Sequence, residues 1–119
     1  MAVATVTSFA AGTVISNVAA RISAIHIDQA TDGATANTFL MVYDQTSAPT
    51  GGTDTPDVVY KITKPSGEGT KGRFKILFPG GGDRYGTGVG IFVATTFNGA
   101  TGASTTAPLS VNVYFETGS

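Results

Sequence analysis

The sequence predicts an all-β fold, a two-sheet antiparallel sandwich that takes up residues 1–119 as one domain. Three observations predict it: an apolar–polar alternation of period two, turn residues between the alternating segments, and no sustained helical pattern. A chain of 119 residues suits one domain and leaves little room for two. We expect about seven or eight strands, in a jelly-roll or an immunoglobulin-like topology.

The first predicted elements are a short strand near residues 2–7 and a longer strand over residues 18–27. In the longer strand the apolar side chains change face between Ala24 and Ile25, which predicts a β-bulge or a strand that crosses between sheets. Residues 39–43 and 91–94 are continuously apolar, and such short runs predict strands that are buried on both faces.

Three further segments alternate regularly and predict half-buried strands, each with one face in the core. Their core-facing positions are Val58, Tyr60 and Ile62, then Phe74, Ile76 and Phe78, and finally Leu109, Val111, Val113 and Phe115. Glycine, proline and asparagine punctuate the chain between the strands, as in residues 49–52, 79–82 and 98–99.

The N-terminal segment carries no charged side chain before Arg21. It lacks the basic residues that begin a signal peptide, and polar residues interrupt every apolar run, so we expect neither a signal peptide nor a membrane span. We expect residues 1–12 to form an extended arm that lies along the sheet edge of a neighbouring molecule. Val3 and Val6 are then candidate partner-binding residues.

Charged residues make up only 13% of the chain, and the formal net charge is −1. The bulk charge therefore gives no attraction to nucleic acid. Desolvating a surface with few charges costs little free energy, and this property is typical of a protein that packs against other subunits. The chain has no cysteine, which excludes disulfides and thiolate metal sites.

Most of the basic residues fall on one predicted hairpin. They are Lys61, Lys64, Lys71, Arg73 and Lys75. A basic hairpin beside acidic loops suits docking onto copies of the same chain or onto an acidic partner, and we take these five residues as candidate partner-binding residues. The alternative is an edge hairpin whose lysines prevent aggregation.

No catalytic or cofactor site is predicted. The one histidine, His26, has Asp28 on the same strand face, but a structural role suits a lone histidine within a strand better than catalysis. Asp54 and Asp57 lack the spacing of a calcium loop and are expected to cap turns. The glycine-rich residues 80–90 miss the phosphate-loop patterns and precede a strand, so we expect a turn and a strand start.

Three segments carry a resemblance to a known family. Residues 43–56, YDQTSAPTGGTDTP, resemble a loop of small virion proteins from tailed bacteriophages, in which a strand ending in Leu/Val-Tyr precedes the pattern T-x-A-P-x-x-G-T-D-T-P. Residues 78–94, FPGGGDRYGTGVGIFVA, and residues 111–115, VNVYF, are similar to later strands of those proteins. Together the segments span most of residues 38–116.

The resemblance implies a capsid decoration (cement) protein on the virion surface, made in the host cytoplasm. Its partner would be the major capsid protein or another virion protein, and it would act as a homo-oligomer, with a trimer favoured. One alternative is an accessory protein of the tail, baseplate or fibre. Another is a carbohydrate-binding sandwich, for which Tyr60, Tyr85 and Tyr114 are the candidate aromatic residues. No enzymatic activity and no cofactor are expected in any of these cases.

Overall fold

The computed structural model describes residues 2–7, 11–28, 38–62, 73–94 and 110–117. Every regular element within these ranges is a β-strand, which confirms the predicted all-β class. The strands are β1 (Ala2–Val6), β2 (Thr13–Ser16), β3 (Ala20–Asp28), β4 (Thr38–Tyr43), β5 (Val58–Ile62), β6 (Arg73–Leu77), β7 (Asp83–Tyr85), β8 (Val89–Ala94) and β9 (Ser110–Thr117). The sequence did not indicate β2 and β7, because strands of 4 and 3 residues are too short to show an alternation.

The strands form two antiparallel sheets. One is five-stranded, with the order β1-β9-β3-β6 and with β7 pairing to β3, and the other is four-stranded, with the order β2-β8-β4-β5. Within the five-stranded sheet β1 pairs with β9 and β3 with β6, and within the four-stranded sheet β2 pairs with β8 and β4 with β5. This nested pairing, in which the outermost strands of the sequence pair first, is the order of a jelly roll. Strand order therefore decides between the two expected topologies.

The main core lies between the two sheets and takes alternate residues from the strands, as the period of two predicts. Its fully buried members include Ile22, Ile25, Leu40, Val93 and Val113. Because each strand gives only one face to this core, its other face is directed outward. The position of each residue in the alternation therefore sets which side chains a partner can reach.

The four-stranded sheet is also buried on part of its outer side. A second apolar cluster lies there, formed by Met41, Tyr43, Phe92 and Ala94, none of them more than 3% exposed. Both faces of β8 are consequently buried along its length. This confirms the expectation of two-sided burial that the continuously apolar runs gave.

A β-bulge in β3 explains the change of face seen in the sequence. The pairing of β3 with β9 shifts between Ile22 and Ala24, so that Ser23 is the extra residue. The Ser23 hydroxyl donates to the carbonyl oxygen of Tyr114 at 3.1 Å, and the Ser23 carbonyl accepts the N–H of Phe78 at 3.1 Å. The bulge therefore keeps its polar groups bonded while Ile25 returns to the core.

The prediction that the basic residues lie on one hairpin is wrong. β5 pairs with β4 in the four-stranded sheet, whereas β6 pairs with β3 in the five-stranded sheet. Two half-buried strands that follow each other give the same alternation whether they pair or belong to different sheets. The sequence pattern alone could not separate these cases.

The N-terminal residues also differ from the expected extended arm. Residues 2–6 are β1, which pairs along its whole length with β9 of its own chain. Val6 faces the core and is 7% exposed, whereas Val3 points outward and is 51% exposed. Within the folded chain only Val3 of this pair is accessible to a partner.

Candidate binding surface

The outer face of the five-stranded sheet carries two parallel rows of side chains. In an antiparallel sheet, residues directly opposite each other point to the same side with their Cβ atoms about 5 Å apart. The strand registers place one residue of β1, β9, β3 and β6 in each row. We call the first the apolar row, which is Val3, Tyr114, Ala24 and Leu77. The second is the polar row, which is Thr5, Asn112, His26 and Lys75.

The apolar row is exposed at both ends. Leu77, at the β6 end, is 66% exposed, and Val3, at the β1 end, is 51% exposed. Tyr114 and Ala24 between them are half-buried. Since neighbouring strands lie about 4.8 Å apart, the row extends over about 14 Å across the sheet. Large apolar side chains that line up across a flat face mark an interaction surface more strongly than scattered ones.

The polar row fixes the neighbouring side chains in place. The imidazole of His26 lies against the ring of Tyr114, with their centroids 4.6 Å apart and their planes at 53°. The Thr5 hydroxyl donates to the side-chain oxygen of Asn112 at 2.7 Å. His26 packs beside the tyrosine on the outer face, so its ring holds Tyr114 in position. Asp28, farther along β3, accepts a hydrogen bond from the hydroxyl of Ser110 at 3.3 Å.

The basic candidates do not form one patch. Lys61 lies opposite Phe39 on the outer face of the four-stranded sheet, whereas Lys75 lies opposite His26 on the outer face of the five-stranded sheet. Arg73 is the first residue of β6, in register with Asp28. Lys64 and Lys71 lie outside the described residues. A single basic docking surface is therefore not supported by the placement of Lys61 and Lys75.

The glycine-rich loop after β7 binds an anion that belongs to the chain itself. The carboxylate of Asp44 accepts the backbone N–H groups of Gly86, Thr87 and Gly88, at 3.3, 2.8 and 3.2 Å. Desolvation alone would raise the pKa of Asp44, but these hydrogen bonds, with the nearby charge of Arg84, outweigh it and hold the pKa below its ordinary value. The carboxylate of Asp44 thus occupies the backbone amides that, in a phosphate-binding loop, would bind the phosphate of a ligand.

Two further aspartates cap the 44–57 loop, as the sequence predicted. Asp57 accepts the backbone N–H of Asp44 at 2.6 Å, and Asp54 accepts the N–H of Thr50 at 2.9 Å. The bond from Thr50, followed by one from the Gln45 amide, lowers the pKa of Asp54. Among the described residues no group of three or more histidine, cysteine, aspartate or glutamate side chains is placed to hold a metal ion.

A shallow, open pocket lies at the same end of the sandwich, beside Asp57 and Arg84. Its acidic groups already have partners: the Tyr85 hydroxyl donates to Asp83 at 3.0 Å, and Asp44 and Asp57 hold loop amides. Burial, followed by the charge of Asp83, raises the pKa of Tyr85. These bonds stabilise the loops, and they give each carboxylate in the pocket a structural task.

The three tyrosines considered for sugar binding have different environments. Tyr85 is 4% exposed, and Tyr60 packs against the main core and lies edge-on to Phe78, with centroids 6.3 Å apart. Tyr114 alone of the three lies on an outer sheet face. A buried ring, or one that packs against the main core, offers little stacking surface, which leaves Tyr114 as the aromatic residue for that alternative.

The sequence pointed to Tyr114 only as a candidate sugar-binding aromatic residue, and Leu77 was not singled out at all. Both occupy the polar phase of their strand, where a large apolar residue is out of place, and this signal was available in the sequence. Their alignment with Val3 and Ala24 was not available, because it depends on the register of four strands.

Comparison with known proteins gives no match: no protein-family model, no curated protein and no solved structure matches this chain. Among the described residues, no helix has the length and apolar character needed to span a membrane. The fold and the surface therefore define the chain only as a jelly-roll sandwich with an apolar row on one outer face.

Proposed function

We propose that the chain is a non-catalytic structural protein of the capsid decoration (cement) type, which attaches to the virion surface through the outer face of its five-stranded sheet. The apolar row carries this proposal. Val3 and Leu77 expose apolar area that has no partner in the core cluster, and a capsid subunit would remove this area from water.

The magnitude of this contact suits a protein that binds in many copies. Complete burial of a valine or leucine side chain stabilises by about 1.5–3 kcal/mol, and the row offers two that are only partly exposed. The free energy of one such contact offsets only a small part of the entropy lost on association. Symmetry-related copies on a capsid would add their contributions, so occupancy would come from avidity.

The fold supports the proposal by analogy. Jelly rolls recur in capsid proteins and in lectins, and one fold carries many functions. Asp44, Asp54 and Asp57 hold the 44–57 loop and the 86–88 turn in place, which gives this end of the described sandwich a fixed shape for repeated docking. The low charge further reduces the cost of desolvating its surface.

The test is co-sedimentation with capsids of the virus that encodes the chain, using Leu77→Lys and a matched control. Val14, 37% exposed, lies on the outer face of the other sheet, so Val14→Lys adds the same charge away from the apolar row. We expect L77K to lower capsid occupancy at least tenfold and V14K to leave it unchanged. Both variants should keep the thermal midpoint of the parent chain. Equal occupancy for the two variants contradicts attachment through the apolar row.

Copy number separates capsid decoration from the tail, baseplate or fibre alternative. A decoration protein is present at every equivalent capsid site, whereas an accessory tail protein is present in few copies. Quantitative mass spectrometry of purified virions measures the ratio of this chain to the major capsid protein. A ratio near that of the tail components assigns the chain to the tail.

The packing of His26 against Tyr114 favours carbohydrate binding as a second candidate. An aromatic ring half-exposed on a flat sheet face can stack on a sugar ring. A glycan array probed with the parent chain and with Tyr114→Ala tests it. Binding that Y114A abolishes supports this candidate, and an array without signal excludes the glycans that it displays.

A further inference from the structure

The outer edge of β1 differs from the other sheet edges of the molecule. β1 ends the five-stranded sheet, and among the described strands it pairs only with β9. Its five residues, AVATV, include no charged residue and no proline, and its pairing with β9 shows no register shift. An edge of this kind exposes main-chain N–H and C=O groups that another strand can pair with.

The other described edges each carry a feature that hinders such pairing. β2 has only 4 residues and a register shift between Val14 and Ser16. β5 contains Lys61. The β6–β7 edge contains charged residues in both strands, and the 79–82 turn interrupts it. Short strands, bulges and lysines are the features by which sheet proteins protect their edges.

We propose that two copies of this chain pair through β1, antiparallel and about a two-fold axis, so that their five-stranded sheets join into one continuous sheet. This goes beyond the proposed function, because it concerns the main-chain edge of the sheet instead of its outer face and does not require a capsid. The partner is a second copy of the chain, and the contact consists of main-chain hydrogen bonds between two uncharged strands.

Symmetry and side-chain direction fix the register. A two-fold axis perpendicular to the sheet keeps both outer faces on one side, and directly opposed residues must point to the same side. The paired residue numbers therefore have an even sum, and the register that overlaps all of residues 2–6 places Ala4 opposite Ala4. Val3 then lies opposite Thr5 of the second copy on the outer face.

A second copy suits this edge because every opposed pair is neutral. Like charges directly opposite each other destabilise a strand pair, and β1 has no charge to oppose. The net charge of −1 adds little repulsion between whole molecules. The pairing predicts dimers instead of the trimers expected from the resemblance, because a two-fold contact closes after two copies.

Cysteine cross-linking tests the register, since the chain has no cysteine of its own. Copies carrying Val3→Cys are mixed with copies carrying Thr5→Cys and oxidised mildly. We expect a disulfide-linked dimer at least fivefold more abundant than from V3C mixed with Leu77→Cys, which places an exposed thiol at the far edge. Disulfides join Cβ atoms about 4 Å apart, a separation that directly opposed residues, with Cβ atoms about 5 Å apart, reach by a small shift of the strands. Equal yields from the two mixtures overturn the proposal.

Charge substitution at the same outward positions gives a second test. We expect V3K/T5K and V3E/T5E each to sediment as monomers, because two lysines or two glutamates would oppose each other across β1. An equimolar mixture of the two should sediment as a heterodimer, which also shows that both variants are folded. A mixture that stays monomeric, or a parent chain that sediments as a trimer, overturns pairing through β1. Neither test involves a capsid, so its failure leaves the proposed function standing.

Discussion

At the scale of single residues, the turn between β6 and β7 depends on three consecutive glycines. Gly80, Gly81 and Gly82 have φ angles of 77°, 101° and 94°, a region that side chains rarely adopt. Gly82 has an additional constraint, because a Cβ atom there would lie 2.8 Å from the carbonyl oxygen of Ile22. A Cβ atom added at Gly81 would have no other atom within 4 Å, so Gly81 has the φ constraint but not the close contact.

Gly82→Ala and Gly81→Ala separate these two effects. We expect G81A to destabilise by about 1 kcal/mol through backbone strain. G82A should destabilise by about 2–4 kcal/mol, because β7 must also move away from β3 to accept the methyl group. Urea unfolding followed by circular dichroism measures both free energies. If G82A destabilises no more than G81A, the close approach of Gly82 to Ile22 is contradicted.

At the scale of the element, β1 combines a core strand and an exposed edge. Its inward residue Val6 belongs to the main core, together with Val111 opposite it on β9. Val3, on the other face of the same strand, contacts solvent at one end of the apolar row. The strand is therefore held to its own sheet on one edge and one face, and it stays accessible on the others.

Val6→Ala and Val3→Ala form a matched pair that tests this position of β1. V6A removes two buried methyl groups and should destabilise the fold by about 2 kcal/mol. V3A removes the same groups from a half-exposed site and should change the unfolding free energy by less than about 0.5 kcal/mol. Both values come from chemical denaturation of the full chain. Equal small effects would show that residues 2–6 are detached, as in the arm hypothesis.

At the scale of the whole molecule, three of the tyrosines link stability to alkaline pH. Burial raises the pKa of Tyr85, Tyr60 and Tyr43, with further contributions from Asp83 for the first two and from Asp54 for Tyr43. A titratable group whose pKa is higher in the folded chain than in the unfolded chain stabilises the fold at pH values below the unfolded-state pKa. That stability is lost as the pH rises above the unfolded-state pKa.

We therefore expect the urea midpoint to be constant between pH 7 and 9 and to fall steadily above about pH 10, the ordinary pKa of tyrosine. The unfolded chain releases phenolic protons there, whereas the folded chain retains them. Tyr85→Phe removes one of these groups and should reduce the slope of stability against pH. A midpoint that stays unchanged up to pH 11 contradicts the burial of these hydroxyls.

The sequence by itself determined the local properties of this protein. Alternation identified the half-buried strands, and continuous apolar runs identified the two-sided burial of β4 and β8. A change of face in β3 indicated a β-bulge or a sheet crossing, and the structure shows the bulge, at Ser23. The turn-capping roles of Asp54 and Asp57 also followed from residue type. Each of these depends on residues that are close in the chain, where side-chain direction and backbone preference act directly.

Only the tertiary structure decided which strands are neighbours. It placed β5 and β6 in different sheets, and it paired β1 with β9 from opposite ends of the chain. The apolar row joins residues 3, 24, 77 and 114, which no local pattern connects. Strand order and register result from the packing of the complete core, because a strand shows the same alternation beside any partner. The candidate binding surface is therefore formed only by the tertiary structure.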